Sequence, residues 1–163
     1  MHGCTAFASL CVLATGLLGC GGDGSATFRD RASGLALRYP RSWSVTGFSQ
    51  TTSPQRLVVA SYVVNRRQVE GDCGGRRALR SLPPDGAAVL VIDYGATSVF
   101  SPHRGRFSLS QLDRATYECF GETYMVRFHR GGHDLQAHVA VGAHASADRR
   151  EQALAILDSF HTQ

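Results

Sequence analysis

The chain has 163 residues, 43% of them apolar, and a formal charge of +4 from 17 basic and 13 acidic side chains. This composition is typical of one soluble globular domain and excludes intrinsic disorder, collagen, coiled coils and multi-span membrane proteins. Every basic residue is arginine, which indicates a GC-rich bacterial genome. The arginines are scattered without interleaved aromatic residues, so we expect no nucleic-acid partner and only a weak attraction to anionic headgroups or wall polymers.

The N-terminal segment predicts export. Residues 6–18 form an uncharged, mostly apolar run of about 13 residues, which is shorter than the roughly 20 that span a membrane and is typical of a secretory signal. The run ends at residues 17–20, LLGC, which resemble the lipobox of bacterial lipoproteins. That resemblance implies cleavage after Gly19 and lipidation of the Cys20 sulfur, so that residues 1–19 are a lipoprotein signal peptide.

The segment after Cys20 fits this interpretation. Residues 20–25 are rich in glycine and predict a flexible tether, and residues 26–163 are then a single α+β domain. Acyl chains such as palmitate contribute about 0.8 kcal/mol per buried CH₂, so two or three of them hold a domain on a bilayer. We expect an extracytoplasmic protein anchored to the cell membrane by lipid. The alternative is an uncleaved, buried helix with a chance cysteine.

The remaining cysteines predict a disulfide. Cys4 and Cys11 leave with the signal peptide, so Cys73 and Cys119 are the thiols of the mature body. Two thiols in an oxidising compartment predict a bridge, which would close a loop of about 47 residues and stabilise the fold by about 4 kcal/mol. The alternative, a nucleophilic thiol, would need a partner base, and no cysteine-hydrolase signature surrounds either residue.

The strands of the first half of the body are predicted from period-two apolar patterns, apolar runs and turn residues. Proline and glycine at residues 83–86, PPDG, interrupt the pattern. The near-continuous apolar strand that follows predicts a central position in a sheet. The expected strands are residues 26–30, 34–39, 42–45, 56–64 and 87–94, and a short helix is expected at residues 75–82.

A hairpin is predicted over residues 124–141, where Gly131 and Gly132 form a two-residue turn with positive φ angles. The resulting register makes one face wholly apolar by opposing Phe128 to Leu135, Val126 to Ala137 and Tyr124 to Val139. On the other face it pairs His129 with Asp134, Arg127 with Gln136 and Met125 with His138.

The C-terminal segment predicts an amphipathic helix. Ser146 is a suitable N-cap for a helix through about residue 159, and a stripe with helical spacing faces the core, formed by Ala153, Ile156, Leu157 and Phe160. The elements together predict an α+β fold with a single antiparallel β-sheet and this helix packed across it.

Two short motifs resemble the opening and closing signatures of PsbP-like domains in bacterial lipoproteins. They are residues 39–45, YPRSWSV, and residues 155–160, AILDSF. The resemblance implies an α/β/α sandwich around an antiparallel sheet, and it implies no particular chemistry.

The histidines do not predict a metal site or a cofactor. In the expected register His129 and His138 lie four rungs apart, about 13 Å, so they cannot share an ion. His129 with His133 or Asp134 supplies two ligands, whereas a zinc site needs three or four.

No catalytic residues are predicted. A serine hydrolase would place its nucleophile in a Gly-x-Ser-x-Gly turn, which the sequence lacks, and we expect Ser108 and Ser110 to lie on a strand. Asp93 ends the 87–94 strand, where we expect it to be half-buried and paired with an arginine; the alternative is a catalytic acid. Trp43 and Tyr39 either belong to the core or line a ligand groove.

These observations favour a non-catalytic binding or accessory domain of the cell envelope, whose partner is an envelope protein or an anionic polymer. The alternative is a carrier of small molecules or lipids with a pocket between sheet and helix. A third class, a hydrolase of wall or lipid substrates, would require a histidine with an acid and a nucleophile in one deep pocket.

Overall fold

The computed structural model describes residues 24–47, 55–69, 75–117 and 121–162. The predicted signal peptide, Cys20, Cys73 and Cys119 lie outside the described residues. Within the described part the fold is mixed α+β, as expected, and no helix there is long and apolar enough to cross a membrane. Its strands are β1 Ser25–Arg29, β2 Leu35–Pro40, β3 Ser44–Thr46, β4 Gln55–Ala60, β5 Ala87–Asp93, β6 Asp113–Tyr117, β7 Gly121–Arg130, β8 His133–Val141 and β9 His161–Thr162, and its helices are α1 Arg76–Arg80 and α2 Ala147–Asp158.

The described strands form two sheets, whereas the sequence predicts one. A small sheet has the order β1-β2-β9, and a main sheet has the order β3-β4-β5-β8-β7-β6; all neighbours are antiparallel. The separation arises at the end of β2, where the Trp43 amide donates to the Pro40 carbonyl in a tight turn. The β1–β2 ribbon then pairs with the chain end at Leu35 and Ala36 instead of with β3.

The centre of the main sheet is as the sequence analysis predicts. All residues of β5 are buried, and β5 lies between β4 and β8. The β7–β8 hairpin has the predicted register on both faces, and Gly131 and Gly132 take φ angles of 60° and 76°. The β4 strand ends at Ala60 instead of residue 64, because the Ser61 hydroxyl accepts the Ala87 amide and replaces the next ladder bond.

Each face of the main sheet is covered by a helix. Side chains that alternate along a strand point to opposite faces, and the buried residues divide accordingly. Leu57, Val89 and Val139 pack with Ile156 and Leu157 of α2. Val58, Leu90 and Ala140 pack with Ala78 and Leu79 of α1. The α2 side also includes the small sheet, through Leu35 and Leu37.

Helix α2 begins where the sequence predicts. The Ser146 hydroxyl accepts the Arg149 amide at 3.1 Å, which satisfies one of the unpaired N–H groups of the first turn. The expected strand around Ser108 and Ser110 is wrong, because residues Leu109–Gln111 form a 3-10 turn. The Gln111 side chain accepts the Ser108 amide at 3.1 Å and closes that turn.

Candidate functional site

A row of polar side chains crosses the α1 face of strands β7 and β8. Phe128, Leu135 and Val139 belong to the core on the α2 side, so the residues between them point to the opposite face. These are Thr123, Arg127, His129, Asp134, Gln136 and His138. Burial is deep, since Asp134 and His138 are 0% exposed and Gln136 is 6% exposed. Buried polar groups need partners, and this row supplies them internally.

The bonds from Arg127 to Thr123 form a chain with a fixed direction. Nε of Arg127 can only donate, and it lies 2.9 Å from Oε1 of Gln136. The Gln136 amide nitrogen therefore faces His138 and donates to its Nε2 at 2.7 Å. Since that ring nitrogen accepts, Nδ1 of His138 carries the proton and donates to the Thr123 hydroxyl at 3.1 Å.

His138 is held in its neutral form. Burial lowers the pKa of its imidazole, and the positive charge of Arg127 lowers it further, from 6.5 to about 4. The ring of Tyr117 meets the imidazole edge-on with 4.8 Å between centroids. His138 is therefore a neutral ring in the centre of the row, where it accepts from Gln136 and donates to Thr123.

Asp134 fastens the 94–102 loop to the same face. One carboxylate oxygen lies 2.7 Å from Nδ1 of His129, and the other accepts the Thr97 hydroxyl and the Val99 amide. Burial alone would raise the pKa of this carboxyl, but the hydrogen bonds from Thr97, His129 and the Val99 and Phe100 amides outweigh it and lower the pKa to about 2. The loop is thus held by an ionised carboxylate.

Backbone bonds complete this attachment. The Tyr94 amide donates to the Asp134 carbonyl at 2.9 Å, and the Asp134 amide donates to the Gly95 carbonyl at 2.8 Å. The His129 amide donates to the Ser101 carbonyl at 3.0 Å. Ser98 takes a φ of 55° within the loop, a left-handed conformation that is uncommon for a residue other than glycine.

A pocket of about 380 Å³ opens between this loop and the sheet. The aromatic rings of Tyr94 and Phe100 meet edge to face, with 5.8 Å between their centroids. Tyr94 and Val99 are 42% and 76% exposed, so the wall of the pocket presents apolar surface to solvent. We call this feature the Arg127 pocket; its lining residues are Tyr94, Thr97, Val99, Phe100, Arg127 and Gln136.

The guanidinium of Arg127 is fixed at the edge of this pocket. Its Nε is bonded to Gln136, and its Cζ lies 5.8 Å from the centre of the Phe100 ring, within the range of a cation–π contact. Its terminal nitrogens form no hydrogen bond or ion pair within the part of the chain that the structure describes. The adjacent carboxylate of Asp134 is already engaged by His129, Thr97 and Val99. The arrangement presents an oriented positive charge beside an aromatic surface.

A second cavity lies between the small sheet and helix α2. This β2–α2 cleft has a volume of about 370 Å³ and is open to solvent. Ser159, the C-cap of α2, joins its two walls because its hydroxyl accepts the Arg38 amide at 2.8 Å. The cleft is lined by Gly24, Ser25, Arg38, Tyr39, Pro40, Gln152, Ala155, Ile156 and Ser159.

Asp93 has a different partner from the one expected. It is 5% exposed, and its carboxylate bonds His133 Nδ1 at 3.1 Å instead of an arginine. The other ring nitrogen of His133 lies 3.1 Å from the Ser33 carbonyl. Both nitrogens are therefore engaged in joining the β1–β2 turn and the end of β5 to the start of β8, and His133 lines neither the Arg127 pocket nor the β2–α2 cleft.

The other candidate residues are placed as follows. Trp43 is 4% exposed and belongs to the core, whereas Tyr39 packs against that core and also lines the β2–α2 cleft. His129 and His138 lie four rungs apart in the ladder, as predicted. Within the described residues no three His, Cys, Asp or Glu side chains form a group that could hold a metal ion. The sequence did not reveal the Arg127 pocket, because the 94–102 loop has no periodic pattern.

A comparison of the chain with protein-family models, with curated proteins and with solved structures finds no match.

Proposed function

We propose that this chain is an extracytoplasmic lipoprotein, anchored through Cys20, whose body is a non-catalytic binding domain for an anionic component of the cell envelope. The LLGC sequence at residues 17–20 supports the anchor. The first strand starts at Ser25, so the small sheet is the part of the body nearest to Cys20 along the chain.

The positive charge of the small sheet carries the binding part of the proposal. Phe28 and Leu37 are register partners that pack toward the core, so Arg29 and Arg38 face outward. Arg31 and Arg41 follow β1 and β2, and all four arginines are exposed. None of the four has an ion-pair partner among the described residues. Each arginine near an anionic membrane surface contributes about 1 kcal/mol.

Fractionation tests the anchor. Wild-type protein is expected in the membrane fraction, and Cys20→Ala is expected to leave it. Cys11→Ala is the matched control, since it removes a sulfur from the predicted signal and should not change the distribution. Retention of Cys20→Ala in the membrane would overturn the anchor.

Vesicle binding by the Cys20→Ala chain tests the basic surface without the anchor. We expect it to sediment with vesicles that contain anionic lipid and not with zwitterionic vesicles. The double variant Arg29→Gln with Arg38→Gln should lose this binding. The pair Arg104→Gln with Arg106→Gln changes the charge equally at exposed positions elsewhere and should keep it. Equal loss in both pairs would contradict the assignment to the small sheet.

The fold of the body is proposed to be a PsbP-like α/β/α sandwich. Support comes from α1 and α2, which cover opposite faces of an antiparallel sheet, and from the two short motifs at residues 39–45 and 155–160.

A second candidate function is a carrier of small molecules or lipids, and the β2–α2 cleft favours it. The cleft is lined by Gly24, a residue of the predicted tether, and by Arg38, which brings a positive charge to it. Native mass spectrometry of protein purified from its host tests this function. A carrier should retain a bound ligand, whereas a mass equal to that of the processed chain would contradict it.

A further inference from the structure

We propose that the Arg127 pocket is a binding site for a small organic anion, in which a carboxylate or phosphate group is bound by the guanidinium and an apolar or aromatic body contacts Tyr94, Val99 and Phe100. The inference names a ligand class for the proposed binding domain and rests on that function, but it does not depend on the anchor at Cys20.

The charge of Arg127 is the first reason. A guanidinium presents donors in a planar fork that matches two acceptor oxygens of a carboxylate or phosphate. The bond from Nε to Gln136 and the contact with Phe100 fix the plane of this fork. Its terminal nitrogens remain available within the described part of the chain. An arginine that is already oriented loses less side-chain entropy when it binds a ligand.

The support behind Arg127 is the second reason. Gln136 is almost fully buried, and its own amide nitrogen is committed to His138. The bond chain through His138 to Thr123 therefore holds Oε1 of Gln136 toward Arg127. A surface arginine that only covers the sheet would not require this buried polar support.

The aromatic wall is the third reason. The 94–102 loop is fastened by the Asp134 carboxylate at Thr97 and Val99, so the wall is formed before any ligand arrives. The volume of about 380 Å³ lies at the small end of the range of ligand pockets. It suits a single ring that bears one anionic group.

Titration of the full chain with benzoate, phenyl phosphate and benzyl alcohol tests the site, with the Arg127 Nε–H signal followed by NMR. We expect the two anions to shift this signal and the neutral alcohol to leave it unchanged. The tighter of the two anions identifies the group that the site prefers. Equal binding of benzyl alcohol, or no binding of either anion, would overturn the proposal.

Variants locate the binding, and their titrations are followed through the backbone amide signals of Tyr94 and Val99, which line the pocket, because the Arg127 variants lack the Nε–H group. Arg127→Gln should weaken anion binding by at least about tenfold, because a hydrogen-bonded charge is lost, and Arg127→Lys should also weaken it because the fork is lost. Arg114→Gln is the matched control: Arg114 also lies over an aromatic ring, at 5.9 Å from Tyr124, but its charge is paired with Glu122 at 2.7 Å. It should bind like the wild type, within about twofold.

Phe100→Leu provides a test that keeps the charge, in case Arg127→Gln does not fold. It should weaken binding of both ring-bearing anions. Unchanged anion affinity in Arg127→Gln and in Phe100→Leu would overturn the site even if fractionation confirms the anchor. Conversely, if fractionation overturns the anchor, a positive titration still supports the site. The failure of the anchor and the failure of the site are therefore distinguishable.

Discussion

The amide nitrogen of Gln136 lies 2.7 Å from Nε2 of His138 and donates to it. A proton added to that ring nitrogen would face a donor instead of an acceptor. Gln136 cannot rotate its amide to compensate, because its oxygen accepts Nε of Arg127. The pair therefore favours neutral His138 through geometry as well as through burial.

We predict that this relationship makes the fold sensitive to acid. The pKa of His138 falls from 6.5 to about 4 on folding, chiefly through burial and also through the charge of Arg127. Above pH 6.5 the imidazole is neutral in both states, and its contribution to stability is complete. Between pH 6.5 and 4 the unfolded chain binds the proton and the folded chain does not, so stability falls as the pH falls, by about 2 to 3 kcal/mol in total.

Urea unfolding at pH 7.5 and 4.5 measures this loss. A His138→Gln variant has no titrating ring, so it should lose less stability across the interval than the wild type. Parallel losses in both proteins would show that His138 does not carry the effect.

The second prediction concerns the loop that Asp134 fastens. Asp134→Asn removes the charge and places an amide donor among groups that already donate, which are Thr97 and Val99. We expect hydrogen exchange at the Tyr94 and Val99 amides to accelerate by at least about tenfold, while helix α2 stays protected. Asp113→Asn, an exposed strand position, is the control. Slow exchange in both variants would contradict the role of Asp134.

The third prediction separates the two glycines of the hairpin turn. Both have positive φ angles, so alanine at either position costs about 1 kcal/mol of stability. A Cβ on Gly132 meets nothing within 4 Å, whereas a Cβ on Gly131 would lie 3.0 Å from the backbone nitrogen of Thr162. Gly131→Ala should therefore destabilise the protein more than Gly132→Ala in chemical unfolding. The reverse order would mean that β9 does not pack against this turn.

The fourth prediction concerns the disulfide that the sequence predicts between Cys73 and Cys119. The described residues that flank these cysteines lie on one face of the main sheet: Gly75 lies against Leu90, and Tyr117 contacts His138. Leu90 and His138 are register partners on neighbouring strands. We expect native protein to resist alkylation at both cysteines until it is reduced, and reduction to lower stability by about 4 kcal/mol, the chain-entropy value for a loop of about 47 residues.

Peptide mapping of native and reduced protein checks the bridge. A disulfide-linked peptide that contains Cys73 and Cys119 is expected. Alkylation of either thiol in the unreduced protein would contradict the pairing.

The sequence predicts those parts of the fold in which two independent signals agree. In the β7–β8 hairpin the Gly131–Gly132 turn and the apolar face demand the same register, and the structure has that register. In the same way, the N-cap Ser146 and the apolar stripe of α2 both predict the helix that the structure has. Because a local turn and an apolar core face each restrict the register of the strands, only one register satisfies both.

Two of the features that the sequence does not predict depend on a partner far along the chain, and a third depends on a local signal. The small sheet is completed by two residues, His161 and Thr162, which are too few to form a pattern. Alternation alone misplaced Ser108 on a strand, although Gln111 three residues later is a helix-start signal. No local pattern predicts that the Asp158 carboxylate accepts the Phe107 amide, at 3.0 Å.

The sequence predicts only part of the candidate site. The pairs Arg127 with Gln136 and His129 with Asp134 follow from the hairpin register and are present. The pocket does not follow from it, because its other wall is the 94–102 loop, which is folded over the sheet by the Asp134 side chain. No periodic signal encodes such an attachment.

The mass of the N-terminal peptide of protein purified from its host tests the central claim most directly. We expect the mature chain to begin at Cys20, with the mass of a diacylglyceryl group on its sulfur. A chain that retains Met1 and carries an unmodified thiol at Cys20 would contradict export, the anchor and the envelope function together.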